Sequence, residues 1–233
     1  MSRYTRIYGD FTSRLGEVSL LRRKASALER SNRALLHGPE ISALCRASVV
    51  LLSSHIEAYI KELGEHTLDS AHTQSVPRSK ISKKFLYYVS REKIDIIRAS
   101  TQPESIASSV QNFIDGDILF WQGSGPLHGP IPSVTFNSGF SNPKFEKVKS
   151  YFGRFDYSDF RKDFMRTLGS RGPLIESSLD SIVDTRNAIA HGDPSATKTP
   201  AEVKEMEDNA KEFCRTVDQI FSNWCRRFLC RIR

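Results

Sequence analysis

The sequence predicts an all-α fold, an up-down helical bundle with an N-terminal helical extension and a Gly/Pro-rich loop insertion. Three observations carry this. Apolar residues recur at three- and four-residue steps through most of the 233 residues. Turn-forming residues fall between those periodic segments. One late segment, Thr199-Pro200-Ala201-Glu202, sets an N-cap Thr before a helix-starting Pro and a Glu at the third helical position, the pattern of a capping box. A chain of this length buries a core without disulfide or metal staples, and it is read as one domain over 1–233.

The elements follow in order. Over 11–37, Val18, Leu21, Ala25, Leu28 and Leu35 define one helix face, with Arg22, Lys24, Glu29, Arg30 and Arg33 opposite. Gly38-Pro39 breaks that pattern. The first core helices are placed in 40–120. A central helix over 40–66 carries Cys45, Val49, Leu52, Ile56, Ile60 and Leu63, a third helix spans 80–98, and a fourth spans 104–120 with an interruption near Gly116. The insertion loop, 121–143, is dense in glycine and proline, and charged residues disappear from it. Loops this long are uncommon inside compact domains and are often functional. Val134, Phe136 and Phe140 suit it to pack down or to meet a partner, and a short strand pair is compatible with it. Gly123-Ser124-Gly125 lacks a following Gly-Lys-Ser/Thr and is not read as a phosphate loop.

The motif helix and the C-terminal helix occupy 144–233. Short helices at 145–152 and 160–168 interleave aromatics with Lys147, Lys149, Arg154, Arg161 and Lys162, a pattern that serves nucleic-acid contact or inward aromatic packing. A helix over 173–191 ends at Gly192, a natural residue for a helix C-terminus. The last helix holds Val203, Met206, Ala210, Phe213, Val217, Ile220, Trp224 and Phe228 in one stripe, followed by a basic tail that complements the helix dipole or holds phosphate.

Composition narrows the function classes. Hydrophobic residues make up 39% and charged residues 26%, and the net charge of +7 favours a polyanionic partner without establishing one. The four cysteines, Cys45, Cys214, Cys225 and Cys230, form no Cys-x-x-Cys pair and no zinc-finger spacing, so they read as reduced thiols in a cytoplasmic protein with no metal. No signal-peptide core and no membrane span are expected.

An Arg and a His separated by four to six residues occur twice, at Arg30 with His37 and at Arg186 with His191, so spacing alone decides nothing. Helix geometry separates them. Arg30 and His37 point away from the Leu21–Leu28 stripe. Arg186 falls near the centre of the stripe made by Ile175, Leu179, Ile182 and Ile189, where a leucine is expected. A charge placed toward a core or an interface is costly unless paired or used. Asn187 and His191 share a face at the stripe's edge, with His191 at the helix end. The group contains no nucleophile, and none is needed where RNA supplies its own 2′-hydroxyl. The structural alternatives are a buried carboxylate partner for Arg186, a surface amide at Asn187, and a dipole-favoured histidine at 191.

Arg186-Asn187-Ala188-Ile189-Ala190-His191-Gly192 resembles the signature of the HEPN superfamily, in particular its RiboL-PSP-type group, and Leu51-Leu52-Ser53-Ser54-His55-Ile56-Glu57-Ala58-Tyr59 resembles the first core helix of such domains. The resemblance leaves 11–37 and the insertion unexplained. It implies a metal-independent endoribonuclease without cofactors, acting as a homodimer across a composite cleft. His191 would be the general base, Arg186 the group that stabilises phosphate charge, Asn187 an orienting amide and Glu57 a supporting partner of Arg186. Products would carry 2′,3′-cyclic phosphate and 5′-hydroxyl ends. The implied partners are the RNA substrate and an antitoxin or sensor protein, in the setting of a toxin or an antiviral effector. The competing readings are a non-catalytic dimerisation, adaptor or nucleotide-binding module and a helical RNA-binding protein.

Overall fold

The computed structural model describes residues 4–31, 34–122, 125–127 and 129–233 and is all-α. Among those residues the β structure is an isolated bridge between Pro77 and Pro126, in place of a strand pair. The helices are α1 (Arg6–Glu29), α2 (Gly38–Thr73), α3 (Lys83–Val89), α4 (Arg91–Ala99), α5 (Pro103–Trp121), α6 (Ser133–Asn137), α7 (Phe145–Phe152), α8 (Phe160–Leu168), α9 (Gly172–Ala190) and α10 (Pro200–Phe228). Gly123 and Ser124 lie outside the described residues.

The long helices α1, α2, α9 and α10 pack on one another, and α8 fills the space against α9 and α10. The centre is α2, whose Cys45, Val49, Leu52, Ile56, Ile60 and Leu63 are fully buried, as its stripe predicts. Against the expectation of no membrane span, 18 residues within the helical stretch Leu35–Thr73 reach a mean hydropathy of 1.3, so by length and composition alone it also matches a membrane-crossing helix. In the fold its stripe is the middle of the bundle. At Gly64 the neighbour is so close that a Cβ would collide with the Tyr151 hydroxyl, so the helix needs glycine there.

Four expectations change. First, α1 is part of the core and not an appended helix. Phe11 and Val18 are fully buried, and Arg22 reaches across to Glu207 of α10 at 3.1 Å. Asp218 of α10 accepts the Thr5 N–H at 3.1 Å and also the Thr5 hydroxyl, fixing the N-cap of α1 to the bundle. The helix stops at Glu29, before Ser31, a residue whose side chain competes with helical backbone bonds, and Leu35 is 97% exposed beyond it. Second, the helix expected over 80–98 is two, broken at Ser90, whose hydroxyl accepts the Trp121 indole N–H at 3.0 Å. Third, α5 runs through Gly116 without interruption. The missing side chain makes room for the Lys93 ammonium, which pairs with Asp117 at 2.6 Å.

Fourth, the insertion is not loop throughout, because it contains α6, and it packs down, the first of the two alternatives its apolar residues left open. Leu127, Ile131, Phe136 and Phe140 are buried, while Val134 is 83% exposed. The buried Arg154 guanidinium donates to the carbonyls of Phe136 and Ser138 and lies over the rings of Tyr88 and Tyr151 at 5.1 and 5.2 Å. The Tyr151 hydroxyl donates to Asn137 at 2.5 Å, and Asn137 donates to Glu65 at 2.8 Å.

The aromatics of the interleaved stretch turn inward. Phe145, Phe152, Phe160 and Phe164 are fully buried, and Phe152 meets Phe221 at 4.4 Å. Beyond Phe228 the tail folds back on the bundle, with Leu229, Cys230 and Ile232 buried. Arg233 donates to the carbonyls of Asp218 and Gln219, away from the last turn of α10. All four cysteines are buried and unpaired, and burial raises the pKa of each thiol, to about 11 for Cys45 and Cys230.

Candidate active site

The candidate residues sit on the last two turns of α9. Its first turns bury Ile175, Leu179, Ile182 and Val183, and then the buried stripe runs out. Arg186 and Ile189 continue that stripe but are only half-buried, with Ile189 still packed against the core. The helix stops with a Schellman arrangement. Gly192 has φ +79°, its N–H reaches the Ile189 carbonyl at 3.1 Å, and the Asp193 N–H reaches the Ala188 carbonyl at 3.0 Å. His191 is therefore the exposed C-cap, and its ring has no hydrogen bond to protein among the described residues.

Behind this cap, Arg46 of α2 donates to the Asp193 carbonyl at 3.1 Å. Asp193 in turn accepts the N–H and hydroxyl of Ser195 at 2.8 and 2.7 Å, contacts that lower its pKa. The loop after His191 is thus fixed at both its backbone and its side chains.

Arg186 is held by amides. Its Nη1 donates to Asn187 Oδ1 at 3.1 Å and to Asn142 Oδ1 at 3.2 Å. Among the described residues it has no carboxylate partner, and the carboxylates of α9 and of Glu57 are engaged elsewhere. Asp180 accepts the Phe145 N–H at 2.8 Å, and Asp184 pairs with Lys144 at 2.6 Å and raises the pKa of that lysine. Glu57 pairs with Lys61 at 2.7 Å. The alternative of a buried carboxylate partner for Arg186 does not describe this site. Neutral amide oxygens orient the guanidinium while leaving its charge uncompensated.

Glu57 does not touch Arg186 directly. Its Oε2 accepts the backbone N–H of Asn142 at 3.1 Å, and Asn142 then accepts from Arg186. The structure therefore brings together Glu57, Asn142, Arg186 and Asn187 in one chain of contacts, with His191 at the helix end beside it. Asn142 was missed by sequence reasoning. It lies 44 residues from Arg186 at the close of the insertion, where no periodicity points to it. The one usable signal is its residue type, because its backbone has φ +52° and asparagine tolerates that region. Asp180 and Asp184 clamp the chain just after it onto α9, and Phe140 buries the chain just before it.

The RiboL-PSP-HEPN family model matches residues 10–223, and the chain belongs to that family. The match takes in most of α1 and the whole insertion, both of which the short motifs left unexplained. Comparison with curated proteins and with solved structures returned no match.

Proposed function

We propose that the chain is a metal-independent endoribonuclease whose centre is Arg186, Asn187 and His191, completed by a second copy. The observation that carries this reading is an arginine held in place by two amide oxygens, with no carboxylate among the described residues to neutralise it, at the end of the motif helix beside an exposed histidine. Such a group suits the charge that builds up on a phosphate in its transition state.

The chemistry balances without a cofactor. The RNA 2′-oxygen attacks phosphorus and its proton passes to a neutral His191 imidazole. The bond from phosphorus to the 5′-oxygen breaks, and a protonated imidazole supplies the proton to that oxygen. The products are a 2′,3′-cyclic phosphate and a 5′-hydroxyl, while Arg186 neutralises phosphate charge and Asn187 keeps it aimed. Five residues of α-helix turn through about 140° and rise about 7.5 Å, so Arg186 and His191 of one copy diverge. A second motif helix facing the first supplies the convergence. In a cell this activity would make the chain a toxin or an antiviral effector held by an antitoxin or sensor protein.

The test is cleavage of RNA in EDTA by the purified protein, with growth and total RNA scored on expression of the wild type and of His191→Ala. Cleavage that disappears in Arg186→Ala and His191→Ala is the expected result. Intact RNA and normal growth with the wild type would sink the proposal. One observation favours a second reading, a non-catalytic nucleotide-binding or adaptor module, namely that no hydrogen bond from the described residues orients the His191 ring. Tight ligand binding without turnover, lost in Arg186→Ala and kept in His191→Ala, is its signature.

A further inference from the structure

A second site lies far along α10 from the motif. A cleft of about 660 Å³ opens between the turn at Arg78–Lys80, the segment from Phe155 to Arg166, and the last turn of α10. The helical rise from Pro200 to Trp224 puts it about 36 Å along the helix from the end nearest His191.

Its wall is an aromatic platform. Trp224 stacks on Tyr157 with ring centroids at 5.3 Å and on Phe221 at 5.9 Å, and Phe228 meets Trp224 at 5.7 Å. The inner rings are buried, Trp224 is half-buried, and Phe228 is 51% exposed. Several aliphatic side chains of the described residues are exposed as well, but Phe228 is the aromatic one among the exposed large apolar residues, and it extends the partly open Trp224 surface. Around it stand Lys80, Lys162 and Arg227, none of which has a carboxylate partner among the described residues. The Arg227 guanidinium lies over the Phe228 ring at 5.1 Å. Arg166 is satisfied by Asp163 at 2.8 Å, and Asp163 also accepts the Tyr157 hydroxyl at 2.7 Å, so that carboxylate is engaged. Asp156 and Asp159 also line the cleft and hold its net charge down, which favours a ligand of few phosphates over a long duplex.

A flat ring with an anionic group a few ångströms away is the shape of a nucleotide. We propose that this cleft binds a nucleoside phosphate unit, free or as part of single-stranded RNA, with the base on Trp224 and Phe228 and the phosphate among Lys80, Lys162 and Arg227. Stacking on aromatic side chains tolerates any base, so the site selects chemistry rather than sequence. It is independent of the motif and of whether the motif cuts RNA.

The experiment reads Trp224 fluorescence in the full-length chain carrying Trp121→Phe, so that Trp224 is the sole tryptophan, and His191→Ala, so that RNA stays intact. The probes are adenosine monophosphate and a ten-residue oligoadenylate. Saturable quenching is expected, with binding weakened about tenfold by Phe228→Ala and again by Lys162→Glu. Both residues are exposed, and circular dichroism checks that each variant is folded. Quenching by both probes at similar affinity identifies a free nucleotide site. Quenching by the oligonucleotide alone, with a salt slope that falls by about 0.7 in Lys162→Glu, identifies an RNA track. No quenching by either probe, or quenching unchanged in both variants, overturns the proposal.

Discussion

Replacing Asn142 by aspartate would set a carboxylate against Arg186 at the position of the present amide oxygen. A half-exposed ion pair of this kind shifts stability by less than about 1 kcal/mol. Its effect on the proposed chemistry is larger, because the charge meant for a phosphate is cancelled. RNA cleavage by Asn142→Asp is expected to fall about 100-fold or more, with thermal unfolding close to wild type. Asn142→Gly keeps the φ of +52° without strain and removes only the acceptor, so it should show a smaller loss. Wild-type rates in Asn142→Asp would show that the neutrality of this contact is irrelevant. At this scale the sequence was partly legible. Arg186 was visible because a charge in an apolar stripe is anomalous. Asn142 was not, because a long-range contact from an aperiodic segment leaves no trace in spacing.

The capping box of α10 follows the motif directly, and its chemistry is fully local. The Glu202 N–H donates to Thr199 Oγ1 at 3.2 Å, and the Thr199 N–H donates to Glu202 Oε2 at 2.8 Å. Thr199→Ala should destabilise the protein by about 1 kcal/mol, read by denaturant unfolding. The bonds from the Thr199 backbone, and then from its side chain, hold the Glu202 pKa below its ordinary 4.5. A depressed carboxylate contributes stability above its unfolded pKa, and that contribution is lost as pH falls through the folded value. Unfolding midpoints of the wild type should therefore drop more steeply on acidification from pH 4.5 than those of Glu202→Gln. Parallel curves would mean the box does not hold in solution. Elements of this kind were readable because their signals lie within four residues. The break at Ser90 was not, since the partner of the Ser90 hydroxyl, Trp121, lies 31 residues away.

For the whole molecule, the proposed centre needs two motif helices, because one presents its arginine and histidine in diverging directions. Co-purified mixtures of Arg186→Ala and His191→Ala chains should then regain RNA cleavage that neither variant has alone. Activity that never returns on mixing would mean each copy works by itself, or not at all. The bundle itself was legible from periodicity, and the capped α10 and the central α2 stand where their stripes put them. Its membership was less so. The motif helix suggested the family that the match over residues 10–223 shows, but α1 looked like an addition. Only three-dimensional packing shows Phe11 and Val18 inside the core and Asp218 of α10 fixing the start of α1.

The four buried thiols have a practical consequence. Each is shielded and carries a raised pKa, so the native surface is silent toward thiol-directed probes. A single cysteine introduced at the exposed Ala190 would be the one position to take a spin label, with no need to strip the native residues first. Paired labels within a few helix diameters of about 10 Å would then give the distance between two motif helices in solution.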